Sequence, residues 1–272
     1  KGRPMVNLLP LDANETITAI LPLTEFLENH YVFMATASGT VKRVELEQFA
    51  NIRANGLRAI ELNEEDTLIG VAITDGKQQI MLFSNEGKAI RFAETDVRAM
   101  GRTAKGVRGM RVALAATLDS EDADVENDDS DESDDSDSNV VSRIVSLVVV
   151  PETGEVLCAS ANGYGKRTPV NDFPTKKRGG KGVIAIKTSE RNGELVGAVS
   201  IDESKELMLI SDGGTLVRTR AAEVAMTGRN AQGVRLIRLS DDETLVGVVS
   251  IEAVEEDDET LEVIEGEASE SQ

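Results

Sequence analysis

The chain predicts an all-β fold, a propeller-like array of four-stranded blades, and three observations carry that prediction. The pattern Ser/Thr-x-x-Gly-x-x-x-Arg recurs four times, at Thr36–Arg43, Ser84–Arg91, Ser160–Arg167 and Ser211–Arg218. About nineteen residues beyond each of these glycines stands a second glycine with an apolar residue after it, in Gly56-Leu57, Gly106-Val107, Gly182-Val183 and Gly233-Val234. The anchor glycines Gly39, Gly87, Gly163 and Gly214 are 48, 76 and 51 residues apart. Repeats of that length are supersecondary units that bury their apolar faces against their neighbours. No segment sustains helical periodicity long enough to compete.

Each repeat reads as four strands. The first is a nearly continuous apolar run: 17–21, 68–72, 144–148 and 195–199. The second follows a polar turn, as in Gln79-Ile80-Met81-Leu82-Phe83 and Glu206-Leu207-Met208-Leu209-Ile210. Asn85-Glu86-Gly87, Ala161-Asn162-Gly163 and Asp212-Gly213-Gly214 are hairpin turns in which glycine supplies a positive φ. The third strand carries bases, as in Val41-Lys42-Arg43-Val44, and the fourth begins at the second glycine, as in Gly106-Val107-Arg108. Strands this short, in blocks near 50 residues, suit a radial array better than a sandwich. Without Trp, and with two Tyr and six Phe, aliphatic residues and Met must fill the core.

The array is expected over residues 1–250, with complete repeats at 17–66, 67–118, 140–194 and 195–244 and partial ones at 1–16 and 245–251. Gly2 to Leu9 matches a fourth strand and Leu245 to Ser250 a first strand. A trailing first strand is expected to close the ring by pairing with the blade at the other end. The enlarged period comes from an acidic insertion, 119–138, between a fourth and a first strand, and residues 252–272 form an acidic tail. Both segments have the composition of disordered chain.

The net charge of −20 hides a division. Residues 119–137 hold twelve Asp/Glu and residues 252–270 hold ten, with no Lys/Arg in either. The remainder has 27 acids against 29 bases, close to neutral. Those bases gather on the third strand and the loop after it. The first repeat supplies Lys42, Arg43, Arg53 and Arg58; the second supplies Lys88, Arg91, Arg98, Arg102, Lys105, Arg108 and Arg111. The third supplies Lys166, Arg167, Lys176, Lys177, Arg178 and Lys181; the fourth supplies Arg218, Arg220, Arg229, Arg235 and Arg238. First-strand hairpins instead carry acids such as Asp75, Glu152, Asp202 and Glu203. Superposed repeats would make one edge of the array positive, a track for a polyanion. The Arg four residues after each turn glycine has two readings: a phosphate contact, or a tie to a neighbouring loop carboxylate. Lys176-Lys177-Arg178-Gly179-Gly180-Lys181-Gly182 adds two glycines, whose backbone N–H groups can approach a phosphate, among four cations. It lacks a P-loop frame.

Little points to catalysis or metal binding. His30 is the only histidine and lies in a polar turn, and Cys158, the only cysteine, sits on an apolar strand as a core residue. A single cysteine excludes an internal disulfide and favours a reducing compartment. The run Asp128 to Asp137 lacks the glycine and spacing of an EF-hand loop. No cofactor or metal is expected. No apolar stretch approaches the roughly 20 residues of a membrane span.

Several motifs resemble the C-terminal domain of the A subunit of bacterial DNA gyrase. They are Gly2-Arg3-Pro4-Met5-Val6-Asn7-Leu8-Leu9-Pro10-Leu11, Val97-Arg98-Ala99-Met100-Gly101, Gly106-Val107-Arg108-Gly109, Asn162-Gly163-Tyr164-Gly165-Lys166-Arg167-Thr168 and Gly213-Gly214-Thr215-Leu216-Val217-Arg218-Thr219-Arg220. The resemblance implies a β-pinwheel that wraps duplex DNA around a basic rim, so that the whole enzyme introduces negative supercoils with ATP. It implies as partners the rest of the A subunit and, through it, the B subunit in a heterotetramer, with a bacterial, cytoplasmic and nucleoid-associated location. The family has six blades; the sequence here lacks its first repeat and most of its second, and no cleavage is expected without the domain bearing the catalytic Tyr. The family's heptapeptide box, Gln-Arg-Arg-Gly-Gly-Lys-Gly, lies in that first repeat; Lys176 to Gly182 resembles it in the third complete repeat here. The alternative from another class is a propeller-like scaffold for protein segments. The acidic tail is a candidate competitor for the basic rim.

Overall fold

The computed structural model describes residues 15–51, 53, 56–113, 141–240 and 242–253. The predicted strand at 2–9, the acidic insertion 119–138 and nearly all of the acidic tail lie outside the described residues. Among the described residues fifteen strands run in chain order: β1 Tyr31–Thr36, β2 Thr40–Glu45, β3 Leu68–Thr74, β4 Gln79–Ser84, β5 Lys88–Ala93, β6 Val107–Arg108, β7 Ile144–Val150 and β8 Glu155–Ser160; then β9 Tyr164–Pro169, β10 Val183–Ile184, β11 Leu195–Ile201, β12 Lys205–Ser211, β13 Leu216–Arg220, β14 Val234–Arg235 and β15 Leu245–Glu252. They form four antiparallel sheets, in the orders β3-β1-β2-β6, β10-β5-β4-β7, β11-β8-β9-β14 and β13-β12-β15. The inner strands pack in series, β3 on β7, β7 on β11 and β11 on β15. The fold is all-β and propeller-like, as the glycine period predicts.

The pairing differs from the simplest expectation. No sheet is built from one sequence repeat. Each four-stranded sheet takes its second and third strands from one repeat, and its first and fourth strands from the next. Thus β4 and β5 pair with β7 and β10, whose residues come after the acidic insertion. The glycines explain why. Gly87 turns with φ +79, and a Cβ there would collide with the Ile186 carbonyl of the next repeat. The Gly87 carbonyl in turn accepts the N–H groups of Ala185 (2.8 Å) and Ile186 (3.1 Å). Gly182 packs reciprocally, its missing Cβ lying 2.5 Å from the Ala89 carbonyl. The two recurring glycines are therefore the two halves of one joint between consecutive repeats.

This stacking buries both faces of the central strands. Ile80 and Leu82 of β4 lie in the core shared with Phe33, Val41 and Phe92, whereas Met81 and Phe83 lie in the next core with Val156 and Phe173. Likewise Val156 and Cys158 of β8 face one core and Leu157 and Ala159 the other. That double burial is why the second strands read as unbroken apolar runs.

Two expectations are corrected at the ends. Residues 17–21 form no strand and are exposed. A first strand needs the second strand of a preceding repeat as its partner, and none precedes it among the described residues. β15 does not pair with the blade at the other end: it pairs with β12 within the fourth sheet, and no described pairing joins that sheet to the first. It also runs through Glu252, so the tail's first residue is part of a strand. Lacking a fourth strand among the described residues, β13 alternates between exposed and half-buried, where β2, β5 and β9 are mostly buried.

Candidate nucleic-acid interface

The recurring arginine proves to be a clamp between repeats. Arg43 is 9% exposed, stacks 4.4 Å from the centroid of the Tyr31 ring and lies 3.6 Å from the buried Glu94 carboxylate of the next repeat. Arg91 donates to the carbonyls of Val170 (3.0 Å) and Phe173 (3.4 Å), and burial holds its pKa below the ordinary value. Arg167 donates to the carbonyl of Val224 at 2.8 Å and to Glu155 Oε2 at 2.8 Å. In each case the guanidinium grips a short 3-10 turn of the following repeat: Glu94–Asp96, Val170–Asp172 or Ala221–Glu223. The fourth, Arg218, is exposed and pairs with Glu206 of its own sheet. Of the two readings of this position, the structural tie fits the geometry of Arg43, Arg91 and Arg167, because buried guanidiniums turned onto the following repeat present almost no surface to a phosphate.

Two lysines expected to face DNA are inside. Lys42 and Lys166 are both fully buried. Lys166 Nζ donates to the carbonyls of Gly228 (2.6 Å) and Arg229 (2.8 Å), and Lys42 Nζ to those of Ala59 (2.7 Å) and Arg102. Burial lowers the pKa of each from 10.5 to about 8. Both anchor the loop that leads to the following fourth strand. Arg178 and Arg229 also face carbonyls, those of Arg108 (2.9 Å) and Ile184 (3.0 Å). The Gly179 N–H is taken by the Gly109 carbonyl at 2.6 Å, and the Gly180 carbonyl accepts the Arg111 N–H, so this loop is docked on its neighbour. Gly180, Lys176, Lys177 and Lys181 stay exposed.

The exposed bases form a different series. Counted from the second glycine, they stand one residue before it and two and five after: Lys105, Arg108 and Arg111; Lys181 and Lys187; Arg235 and Arg238; and, in the first repeat, Arg58 alone. Lys187 was not among the sequence candidates, although its offset from Gly182 equals that of Arg111 from Gly106. Arg220 is exposed, while Lys88 and Arg102 are half-buried. β6, β10 and β14 are each an outermost strand, at the edge opposite the packed inner strands. Their register sets them beside the first residues of β2, β5 and β9: Arg108 faces Thr40, Ile184 faces Lys88 and Arg235 faces Tyr164. The acidic hairpins after β3, β7 and β11, with Asp75, Glu152, Asp202 and Glu203, lie at the other ends of the strands. Charge is thus segregated along the strand direction, with bases on the outer edge.

Catalytic groups are sparse. Burial pushes the Cys158 thiol up to about 12, so it is inert core packing. His30 Nδ1 lies 3.0 Å from the Glu28 carbonyl in an exposed turn. Among the described residues no group of three His, Cys, Asp or Glu is placed to hold a metal. The run Asp128 to Asp137 falls outside the described residues. No described helix is long and apolar enough to cross a membrane.

Fold and charge together define a class: a propeller-like repeat domain whose exposed cations follow its outermost strands. The family model for the DNA gyrase C-terminal domain, beta-propeller, matches residues 30–75, 78–123, 154–202 and 205–252, and the chain belongs to that family. The first two of these units begin at a second strand, 30–75 spanning β1 to β3 and 78–123 spanning β4 to β6. The chain is 51% identical over 260 residues to the DNA gyrase A subunit of Haemophilus influenzae, covering 95% of this chain and 30% of that protein. It is 49% identical over 270 residues to the DNA gyrase A subunit of Escherichia coli K12, covering 99% and 28%. The chain therefore spans about 30% of the length of these relatives. A solved DNA gyrase A C-terminal domain superposes with a TM-score of 0.74 at 27% identity, covering 92% of this chain and 75% of the other. The C-terminal domain of DNA topoisomerase IV, at a TM-score of 0.76 and 22% identity over 92% and 71% of the two chains, shares the fold.

Proposed function

We propose that this chain binds duplex DNA along its outermost strands and wraps it chirally, as the C-terminal part of a gyrase A subunit. In that role it supports ATP-dependent negative supercoiling by an enzyme completed by the rest of the A subunit and by the B subunit. The observation that carries this reading is the series Lys105, Arg108, Arg111, Lys181, Lys187, Arg235 and Arg238 on consecutive outer edges. Such a surface engages phosphates without reading bases, bends the duplex from blade to blade and draws its affinity from counterion release. Lys88, Arg102, Lys176, Lys177, Gly180 and Arg220 flank the path, while Lys42, Arg43, Arg91, Lys166, Arg167, Arg178, Gly179 and Arg229 hold the loops that form it.

With roughly eight phosphates neutralised, the log–log salt slope is about −7. The decisive experiment ligates nicked circular DNA with the protein bound and counts linking number after its removal. A shift proportional to bound protein supports wrapping; binding with no shift overturns it. Duplex length separates this function from a protein-binding scaffold, because wrapping requires a duplex that spans several blades.

A further inference from the structure

One cationic cluster on the outer edge is built unlike the rest. Tyr164, at the start of β9 and 8% exposed, accepts a hydrogen bond at its hydroxyl from Arg235 of β14 at 3.0 Å. The Arg191 guanidinium lies 4.9 Å from the same ring's centroid and that of Arg235 5.5 Å. Two guanidiniums thus converge on one phenol, and among the described residues neither has a carboxylate within ion-pair distance. The corresponding pairs elsewhere, Thr40 with Arg108 and Lys88 with Ile184, have no such arrangement.

The cluster is held in advance. Arg191 sits in a loop fixed by Asn192, which is fully buried. Its amide oxygen accepts from the Ser189 N–H (2.8 Å) and hydroxyl (2.9 Å). Its amide nitrogen donates to the carbonyls of Lys187 (2.9 Å) and Gln232 (3.2 Å). Gln232 leads directly into the strand that carries Arg235, so one buried side chain ties the two arginines' segments together. Asn162 Nδ2 adds bonds to the carbonyls of Glu190 (3.0 Å) and Arg191 (3.2 Å). Holding two like charges together without a counter-charge is unfavourable unless an anion completes the set, and guanidinium forks match oxyanion geometry.

We infer that Arg191, Arg235 and Tyr164 form a seat for a single phosphate, filled by one phosphodiester of the duplex backbone. This inference rests on the wrapping function and gives it a fixed anchor in the third sheet. One non-bridging oxygen takes hydrogen bonds from Arg235, the other from Arg191, and the Tyr164 hydroxyl aligns the fork between them.

The test uses the whole chain with fluorotyrosine incorporated. It has two tyrosines, Tyr31 and Tyr164, so its fluorine spectrum has two resonances, which Tyr31→Phe or Tyr164→Phe assigns. A long duplex is expected to move the Tyr164 resonance and raise its phenol pKa toward the ordinary value; the hydrogen bond from Arg235, and secondarily that from Arg191, lower it in the free protein. Arg191→Gln and Arg235→Gln should each weaken duplex binding about tenfold. Together they should flatten the salt slope by about one, because both act on one phosphate. A flattening of about two, or a Tyr164 resonance that stays in place while the duplex binds, overturns the seat. Inorganic phosphate separates this inference from the wrapping function. If the duplex fails to bind but phosphate moves Tyr164 in the parent chain and not in the double variant, wrapping falls and the seat stands. If neither ligand moves Tyr164, the seat falls.

Discussion

At the scale of single residues, position within a repeat is a poor guide to role unless the partner is known. Arg91 and Arg218 occupy the same place in the pattern, yet one is buried against two carbonyls and the other pairs on the surface. Arg91→Ala should therefore cost about 2–4 kcal/mol in urea unfolding, because it strands buried acceptors. Arg218→Ala should cost less than about 1 kcal/mol. Lys166 gives a pH signature. Its folded pKa, lowered to about 8 from 10.5, means that the unfolded chain binds the extra proton between those values. Stability linked to this group is lowest below about pH 8 and rises toward pH 10.5. Urea midpoints measured between about pH 8 and 9, below the ordinary thiol range of Cys158, should rise less steeply in Lys166→Met than in the parent, with Lys42 the other lysine that contributes this linkage. The sequence offered both readings of the recurring arginine and could not choose between them, because its partners lie in the following repeat. For Lys42 and Lys166 it pointed to the wrong side altogether, since a lysine in a strand carries no sign of the carbonyls that will surround it.

At the scale of strands and turns, the glycine pairs set the register between repeats. Gly87→Ala should destabilise by about 3 kcal/mol, combining an unfavourable positive φ with a collision against the Ile186 carbonyl. Gly214→Ala keeps only the conformational cost of φ +84, about 1 kcal/mol, since nothing lies within 4 Å of the added methyl. Equal losses in thermal unfolding would refute the joint. Hairpins and strands were legible in the sequence because turn glycines and apolar runs are local signals. The exchange of strands between repeats was not: periodicity fixes which segments are equivalent but leaves open whose edge each one joins. The expected strand at 17–21 shows the same gap, since its apolar composition matches its equivalents and no partner strand stands beside it among the described residues.

At the scale of the whole molecule, electrostatics is distributed rather than focused. Replacing Lys105, Arg111, Lys181 and Lys187 together by Gln should flatten the salt slope of DNA binding by about 3 to 4. Thermal stability should change little, because all four side chains are exposed. An unchanged slope would place the DNA elsewhere. Sequence composition showed that bases and acids are segregated; the register of β6, β10 and β14 shows by what means.

The borrowed outer strands also impose an order on synthesis. The outermost strand of each four-stranded sheet is encoded roughly 60 to 90 residues after the third strand it covers, an interval of several seconds at about 5–20 residues per second. A nascent blade thus stands with one edge bare until the next repeat has left the ribosome, and its clamp arginine waits nearly as long for the turn it grips. The array grows like a zip, each tooth locked by its successor, and its newest end is always the one most open to mispairing.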